Sequence, residues 1–237
     1  MSRIPADVRD LADASLGLLR QALANHPRIC YASSLGAESV VLTDLLWSEL
    51  PQIEVFTIDT GRLFPQTRDL IERIQRHYGR RLKIYSPDAA AVESWVARHG
   101  IDGFRSGTDQ RRSCCQVRKI EPFRRAIAGY DAWVTGIRSG QSVQRARAQP
   151  LAWDPDHGLY KVSPLLAWSE EQVWSYIRAR ELPYNTLHDL GFPSIGCAPC
   201  TRAVAAGEDP RSGRWWWERE ESRECGLHPR LPALVSG

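Results

Sequence analysis

The sequence predicts an α/β protein: a doubly wound, mostly parallel sheet with a mobile C-terminal tail. Two observations carry this. From residue 7 to about residue 180, short apolar runs alternate with longer segments of helical period, the pattern of strands joined by crossover helices. Beyond Cys200 the composition turns to Gly, Pro and charge, which reads as a tail rather than a packed element. The expected division is a domain over 1–200 and a tail over 201–237. At 237 residues the chain is long enough for one well-buried domain with such an appendage.

Val8, Leu11, Leu16, Leu18, Leu19 and Leu23 recur on a helical period over 7–24, and Pro27 follows. Residues 28–33 form a buried strand that runs into Ser33-Ser34-Leu35-Gly36, and an apolar helix over 38–50 is stopped by Pro51. A strand, a small Gly-bearing turn and a helix can cradle phosphate, because unpaired N–H groups at the helix start face the anion. The turn lacks the Gly-Lys-Ser/Thr ending of a Walker motif and taken alone is a weak signal. Residues 53–58 form a second strand ending in Asp59-Thr60-Gly61-Arg62, where ligands of open α/β sheets bind. A helix over 66–78, a strand over 82–85 and a helix over 89–98 continue the alternation.

A polar loop is expected to lead from His99-Gly100 to Cys114, followed by a helix over 115–128 and a strand over 132–136. The loop after that strand carries Arg138, Arg145 and Arg147 and no acid, which favours anion binding. Ser169-Glu170-Glu171-Gln172 is a capping box opening a helix to about Arg180, expected to be structural only.

Four of the six cysteines fall in two clusters, Cys114-Cys115 and Cys197-Ala198-Pro199-Cys200. Two such pairs usually hold a metal or an iron–sulfur cluster. Adjacent sulfurs point apart and fit poorly around one small tetrahedral ion, so a [4Fe–4S] cluster is the preferred reading. Structural zinc, disulfides or free buried thiols are the alternatives. Around the vicinal pair, Arg105, Arg111, Arg112, Arg118, Lys119, Arg124 and Arg125 face only Asp109 and Glu121. These cations would offset an anionic thiolate-bound cluster and gather an anionic substrate. Cys30 reads as a small core residue. Cys225, set in Arg223-Glu224-Cys225-Gly226-Leu227-His228, is a candidate reactive thiol whose pKa neighbouring cations would lower. A net charge of +3 does not argue for nucleic acid. No apolar run approaches the roughly 20 residues that cross a bilayer. The N-terminus lacks the apolar core of a signal peptide, so a cytosolic, reducing location is expected.

Together, Ser33-Ser34-Leu35-Gly36-Ala37-Glu38, Asp59-Thr60-Gly61, Cys114-Cys115 with Arg118-Lys119, the run 194–202, the run 209–218 and Glu224–His228 resemble one family. It is the assimilatory adenylylsulfate (APS) reductases, kin to the phosphoadenylylsulfate (PAPS) reductases, and the likeness spans about 28–228. The resemblance implies an adenine-nucleotide-hydrolase-like fold and a [4Fe–4S] cluster on Cys114, Cys115, Cys197 and Cys200, with Cys225 as the nucleophile. Cluster-bearing members generally prefer APS, members without the cysteine pairs PAPS. In that reading Ser33, Ser34 and Gly36 line the nucleotide phosphate, and Asp59, Thr60 and Gly61 lie by the adenosine. Lys119, Arg138, Arg145, Arg211 and Arg214 surround the sulfate. Thioredoxin or a similar dithiol is the expected reductant, and a homo-oligomer is left open. One position departs from the family pattern: Ser139 stands where a second arginine is usual. The rivals are a PAPS reductase retaining its cluster, an ATP-pyrophosphatase-type ligase or sulfurtransferase, and a metal-stabilised nucleic-acid binder.

Overall fold

The structure is a computed structural model that describes residues 4–142 and 145–218. Five strands run parallel, β1 (Ile29–Ser33), β2 (Glu54–Ile58), β3 (Lys83–Tyr85), β4 (Ala132–Val134) and β6 (Leu159–Val162). The sixth, β5 (Leu151–Asp154), lies antiparallel at one edge, and the spatial order is β3-β2-β1-β4-β6-β5. The chain steps one way from β1 to β3, then returns to place β4 on the other side of β1. That reversal is the point in such sheets where a crevice opens beyond the strand ends.

Helices cover both faces. On one, α1 (Ala6–Asn25), α2 (Ala37–Glu49), α3 (Pro65–Tyr78) and α7 (Glu170–Ala179) bury Leu19, Leu46, Leu70 and Ile177 against Tyr31 and Val134. On the other, Ile120 and α6 (Glu121–Ile127) pack Phe123 and Ala126 onto Cys30, Phe56 and Trp133. Cys30 is a fully buried core residue, as the sequence indicates. At one edge Asp154 accepts hydrogen bonds from Trp133 Nε1 (3.0 Å) and pairs with His157 at 3.2 Å.

Three stretches differ from the sequence expectation. The polar loop before Cys114 contains a short 3₁₀ turn (Gly103–Arg105) and α5 (Thr108–Cys115). Its helical period is invisible because it is polar almost throughout; burial of Arg111 and Cys114 holds it. The helix expected over 115–128 continues from α5 through a wider π turn (Gln116–Ile120) into α6. Pro122 has no N–H to give and its ring crowds the carbonyl of Arg118, so the helix widens there. The hairpin of β5 and β6 has no counterpart in the expected elements; its tight turn uses Gly158 at φ 69°.

The chain also does not loosen at Cys200. Thr201 pairs with Arg214, and Trp215 and Glu218 are 2% and 8% exposed. A small apolar cluster of Trp95, Phe104 and Cys114 receives Cys200 and Trp217.

Candidate functional site

A cleft of about 780 Å³ opens at the carboxyl ends of β1, β2 and β4. One wall is backbone. Ser33, Ser34, Leu35 and Gly36 turn from β1 into α2, whose N-cap Gly36 carries no side-chain cap. The first N–H groups of α2 therefore face the cleft with a helix dipole behind them. Ser39 fixes the turn, accepting from the Ser34 N–H at 3.0 Å and lying 2.8 Å from its hydroxyl. Leu35 has φ 61°, a left-handed conformation an L-residue avoids, and its side chain, 2% exposed, holds it there.

The loop after β4 is built around Glu38. The Glu38 carboxylate accepts from Arg138 Nε at 2.7 Å and from Gln141 Nε2 at 2.9 Å. Arg138 also lies 3.7 Å from Glu170, and Gln141 accepts from the Arg138 N–H and from Arg145. Arg138 thus meets two acids, so its charge is largely answered within the protein. Ser139, where the resemblance leads one to expect arginine, donates to the Leu166 carbonyl at 2.7 Å and ties the loop to the turn after β6.

The other wall carries the cysteines. Cys115, Cys197 and Cys200 line the cleft, and Cys114 lies behind them, 8% exposed. The Thr60 hydroxyl is 3.2 Å from Cys197 Sγ, and the Thr60 carbonyl accepts from Arg118 at 2.9 Å. Burial pushes the Cys200 thiol up, reinforced by Cys197, Cys115 and Cys114; it pushes Cys114 up as well, against the pull of Arg118 and Arg62. Burial thus disfavours the bare thiolate at both Cys200 and Cys114. Among the described residues no three His, Cys, Asp or Glu side chains are arranged to hold a single metal ion. Three half-buried cysteines on one wall with a buried fourth next in sequence to Cys115 are, as a donor set, of the kind that a polynuclear iron–sulfur group takes.

Of the predicted substrate residues, Ser33, Ser34, Gly36, Thr60, Lys119, Arg138, Arg145, Arg211 and Arg214 line the cleft. Asp59 and Gly61 do not; Asp59 Oδ1 accepts from the Gly61 N–H at 2.8 Å and closes its own turn. Arg214 donates to Ser194 Oγ and the Ile195 carbonyl, and its guanidinium lies where a Cβ at position 196 would sit, 2.2 Å from Nη2. Any larger residue there would have to displace that guanidinium. Cys225 lies outside the described residues.

Sequence reasoning missed several contributors. Helix α7 is not structural only, since Glu170, Val173, Trp174 and Arg178 line the cleft beside Tyr184 and His188. Burial holds His188 below the ordinary histidine value. The basic run around Cys114 is not one solvated face: Arg111 is 1% exposed and paired with Glu218, and Arg125 pairs with Glu121 at 2.6 Å. Glu38 stood in a quoted motif, yet no spacing marks it as the partner of Arg138, 100 residues away.

Residues 28–203 match the phosphoadenosine phosphosulfate reductase domain family. The chain is 52% identical over 217 residues to the adenosine 5'-phosphosulfate reductase of Allochromatium vinosum, covering 92% of this chain and 85% of that one. The protein of the same name from Burkholderia cepacia is 45% identical over 89% of this chain and 84% of its own. Among solved structures, the phosphoadenylyl-sulfate (PAPS) reductase of Candida auris in a phosphate complex superposes with a TM-score of 0.68 at 28% identity, covering 86% of this chain and 99% of that one. The FMN adenylyltransferase of Candida glabrata in complex with ATP, at 18% identity, has a TM-score of 0.60, covers 96% of this chain and 78% of that one, and shares the fold alone. With its parallel sheet, cleft and paired cysteines, the chain belongs to the APS/PAPS reductase family of oxidoreductases acting on sulfur groups.

Proposed function

We propose that this chain reduces adenylylsulfate to sulfite and AMP in sulfate assimilation, through an S-sulfocysteine on Cys225, with electrons from thioredoxin or a similar cytosolic dithiol. The observation that carries the proposal is one cleft with an anion-binding helix start on one wall and cysteines with cations on the other. The names of the relatives, at 45–52% identity, favour APS over the PAPS alternative.

In this reading Ser33, Ser34 and Gly36 hold the nucleotide phosphate against the start of α2, and Thr60 lies toward the adenosine with Asp59 and Gly61 shaping the turn behind it. Lys119, Arg145, Arg211 and Arg214 meet the sulfate end. Arg138, engaged by Glu38 and Glu170, serves chiefly to hold its loop in place. Cys114, Cys115, Cys197 and Cys200 would hold a [4Fe–4S] cluster. When bound, the cluster supplies charge and rigidity beside the sulfate pocket. The Cys225 thiolate attacks sulfur, the S–O bond to phosphate breaks, and AMP leaves with that electron pair on its phosphate oxygen. A reductant thiolate then attacks Cys225 Sγ and sulfite departs. The second reductant thiol resolves the mixed disulfide, so two electrons pass from dithiol to product. The chemistry requires that water be excluded while Cys225 attacks and that the reductant thiol afterwards reach Cys225.

Turnover of APS and of PAPS with thioredoxin as reductant, followed as AMP and sulfite, tests the reading. APS is expected to be the preferred substrate. Cys225→Ser is expected to release no sulfite while still binding AMP. Retained turnover in that variant would rule the mechanism out.

A further inference from the structure

Arg111 stands one turn before Cys114 and Cys115 on the same face of α5. An arginine in a basic run is normally solvated, but this one is 1% exposed, and its partner Glu218 is 8% exposed. The pair is bidentate, with Nε to Oε1 at 2.8 Å and Nη2 to Oε2 at 3.0 Å. The Arg111 guanidinium also lies 4.5 Å from the centre of the Trp215 ring, and Arg214 lies 4.6 Å from the same ring. Trp215 itself donates its backbone N–H to the Cys200 carbonyl at 3.1 Å. The segment 214–218 is therefore gripped at once by the helix carrying one cysteine pair and by the loop carrying the other.

A buried ion pair is a poor device for stability alone, since apolar residues of equal volume generally serve as well. What a bidentate fork supplies is a fixed distance and orientation. Seven residues after Glu218 comes Cys225, and seven residues span at most about 25 Å. Where Glu218 is held thus sets where the thiol can go.

We infer that the Arg111–Glu218 ion pair is a positioning element for the reaction, fixing the root of the nucleophile-bearing segment to the cysteine-bearing helix. This rests on the reading of Cys225 as nucleophile. Releasing Glu218 leaves Trp217 in its apolar cluster and Trp215 on the Cys200 carbonyl as the next attachments, so the tether lengthens only from seven residues to eight. Tether length alone would therefore dilute the thiol hardly at all; loss of orientation lowers the rate on the order of tenfold or more.

The test uses the purified holoenzyme with Glu218→Gln, Glu218→Asp and Arg111→Lys, the last two keeping both charges should the first fold poorly. Three quantities are read: iron per chain, KM for APS, and the single-turnover rate at which Cys225 gains a sulfonate. In Glu218→Gln, iron and KM are expected to stay near the wild-type values, while sulfonation slows roughly tenfold or more. Glu218→Asp is expected to recover most of the rate. Sulfonation at the wild-type rate in Glu218→Gln would overturn the inference, as would iron loss in proportion to activity, which would make the pair a support of the cysteines only. Absence of the adduct in the unaltered protein would instead overturn the reading of Cys225.

Discussion

The wall of the cleft that carries Ser33, Ser34 and Gly36 is made of backbone at a strand end, from residues consecutive in sequence. The wall that carries the cysteines is made of side chains tied across long separations: Thr60 to Cys197 over 137 residues and Arg111 to Glu218 over 107. The first wall tolerates side-chain change, because an anion is met by N–H groups that every residue but proline supplies. The second depends on particular atoms. Glu38, bonded to Arg138 and Gln141, is the exception in the backbone wall, a long-range tie that sets the loop after β4.

If that contrast holds, damage to the cysteine wall abolishes chemistry and spares nucleotide binding, and damage to the backbone wall does less of both. Cys200→Ser is the severest case. Iron content is expected to collapse and turnover to fall roughly 1,000-fold or more, because a site missing one ligand loses binding energy that also orders its surroundings. AMP affinity, measured by titration, should change little; equal loss of both would break the contrast. Gly196→Ala places a Cβ on Arg214 and should lower kcat/KM for APS on the order of 100-fold, the scale of a misplaced binding group. Steady-state kinetics with unchanged kcat/KM would show that Arg214 does not meet the substrate.

On the backbone wall, Glu38→Gln leaves Arg138 with only the distant Glu170 as an acidic partner. The expected effect is a loss of about 1–3 kcal/mol of stability and a modest rise in KM for APS. A large fall in kcat instead would place Glu38 in the chemistry.

The smallest effect on activity lies at one edge of the sheet, at Asp154. Burial opposes its charge, but the bonds from His157 and Trp133, with Lys161 nearby, prevail and hold the carboxyl below the ordinary aspartate range. A depressed folded-state pKa means stability that is complete above the unfolded value and lost as pH falls through the folded one. Asp154→Asn should therefore cost about 1–3 kcal/mol at neutral pH by urea unfolding, and the gap to wild type should narrow below about pH 4. A gap independent of pH would contradict this account of Asp154.

The same contrast explains what the sequence disclosed. Helices α1, α3 and α4 announce themselves through apolar period, β1, β2 and α2 as apolar runs, and the capping box of α7 forms as written, with Ser169 and Gln172 bonded at 3.2 and 2.9 Å. The turn over 33–36 follows because it is contiguous. Helix α5 was hidden by its polar composition, and the β5–β6 hairpin by the charges, Asp154 and Lys161, that interrupt the apolar runs of its strands. The cleft role of α7 was hidden because packing, not period, decides which side of a helix faces a ligand. The segment 201–218 reads as tail because its glycines, prolines and charges look solvated; what folds it is Trp215 between two guanidinium groups and Glu218 on Arg111, contacts no local window contains.

The central claim is that both walls act on one sulfonyl group through Cys225. Intact-mass analysis of the holoenzyme mixed with APS and no reductant tests it most directly. The account predicts one AMP released per chain and a single sulfonate on the peptide containing Cys225, removed by added dithiol as sulfite. AMP released with no sulfonate on that peptide, or a sulfonate on another cysteine, would contradict it.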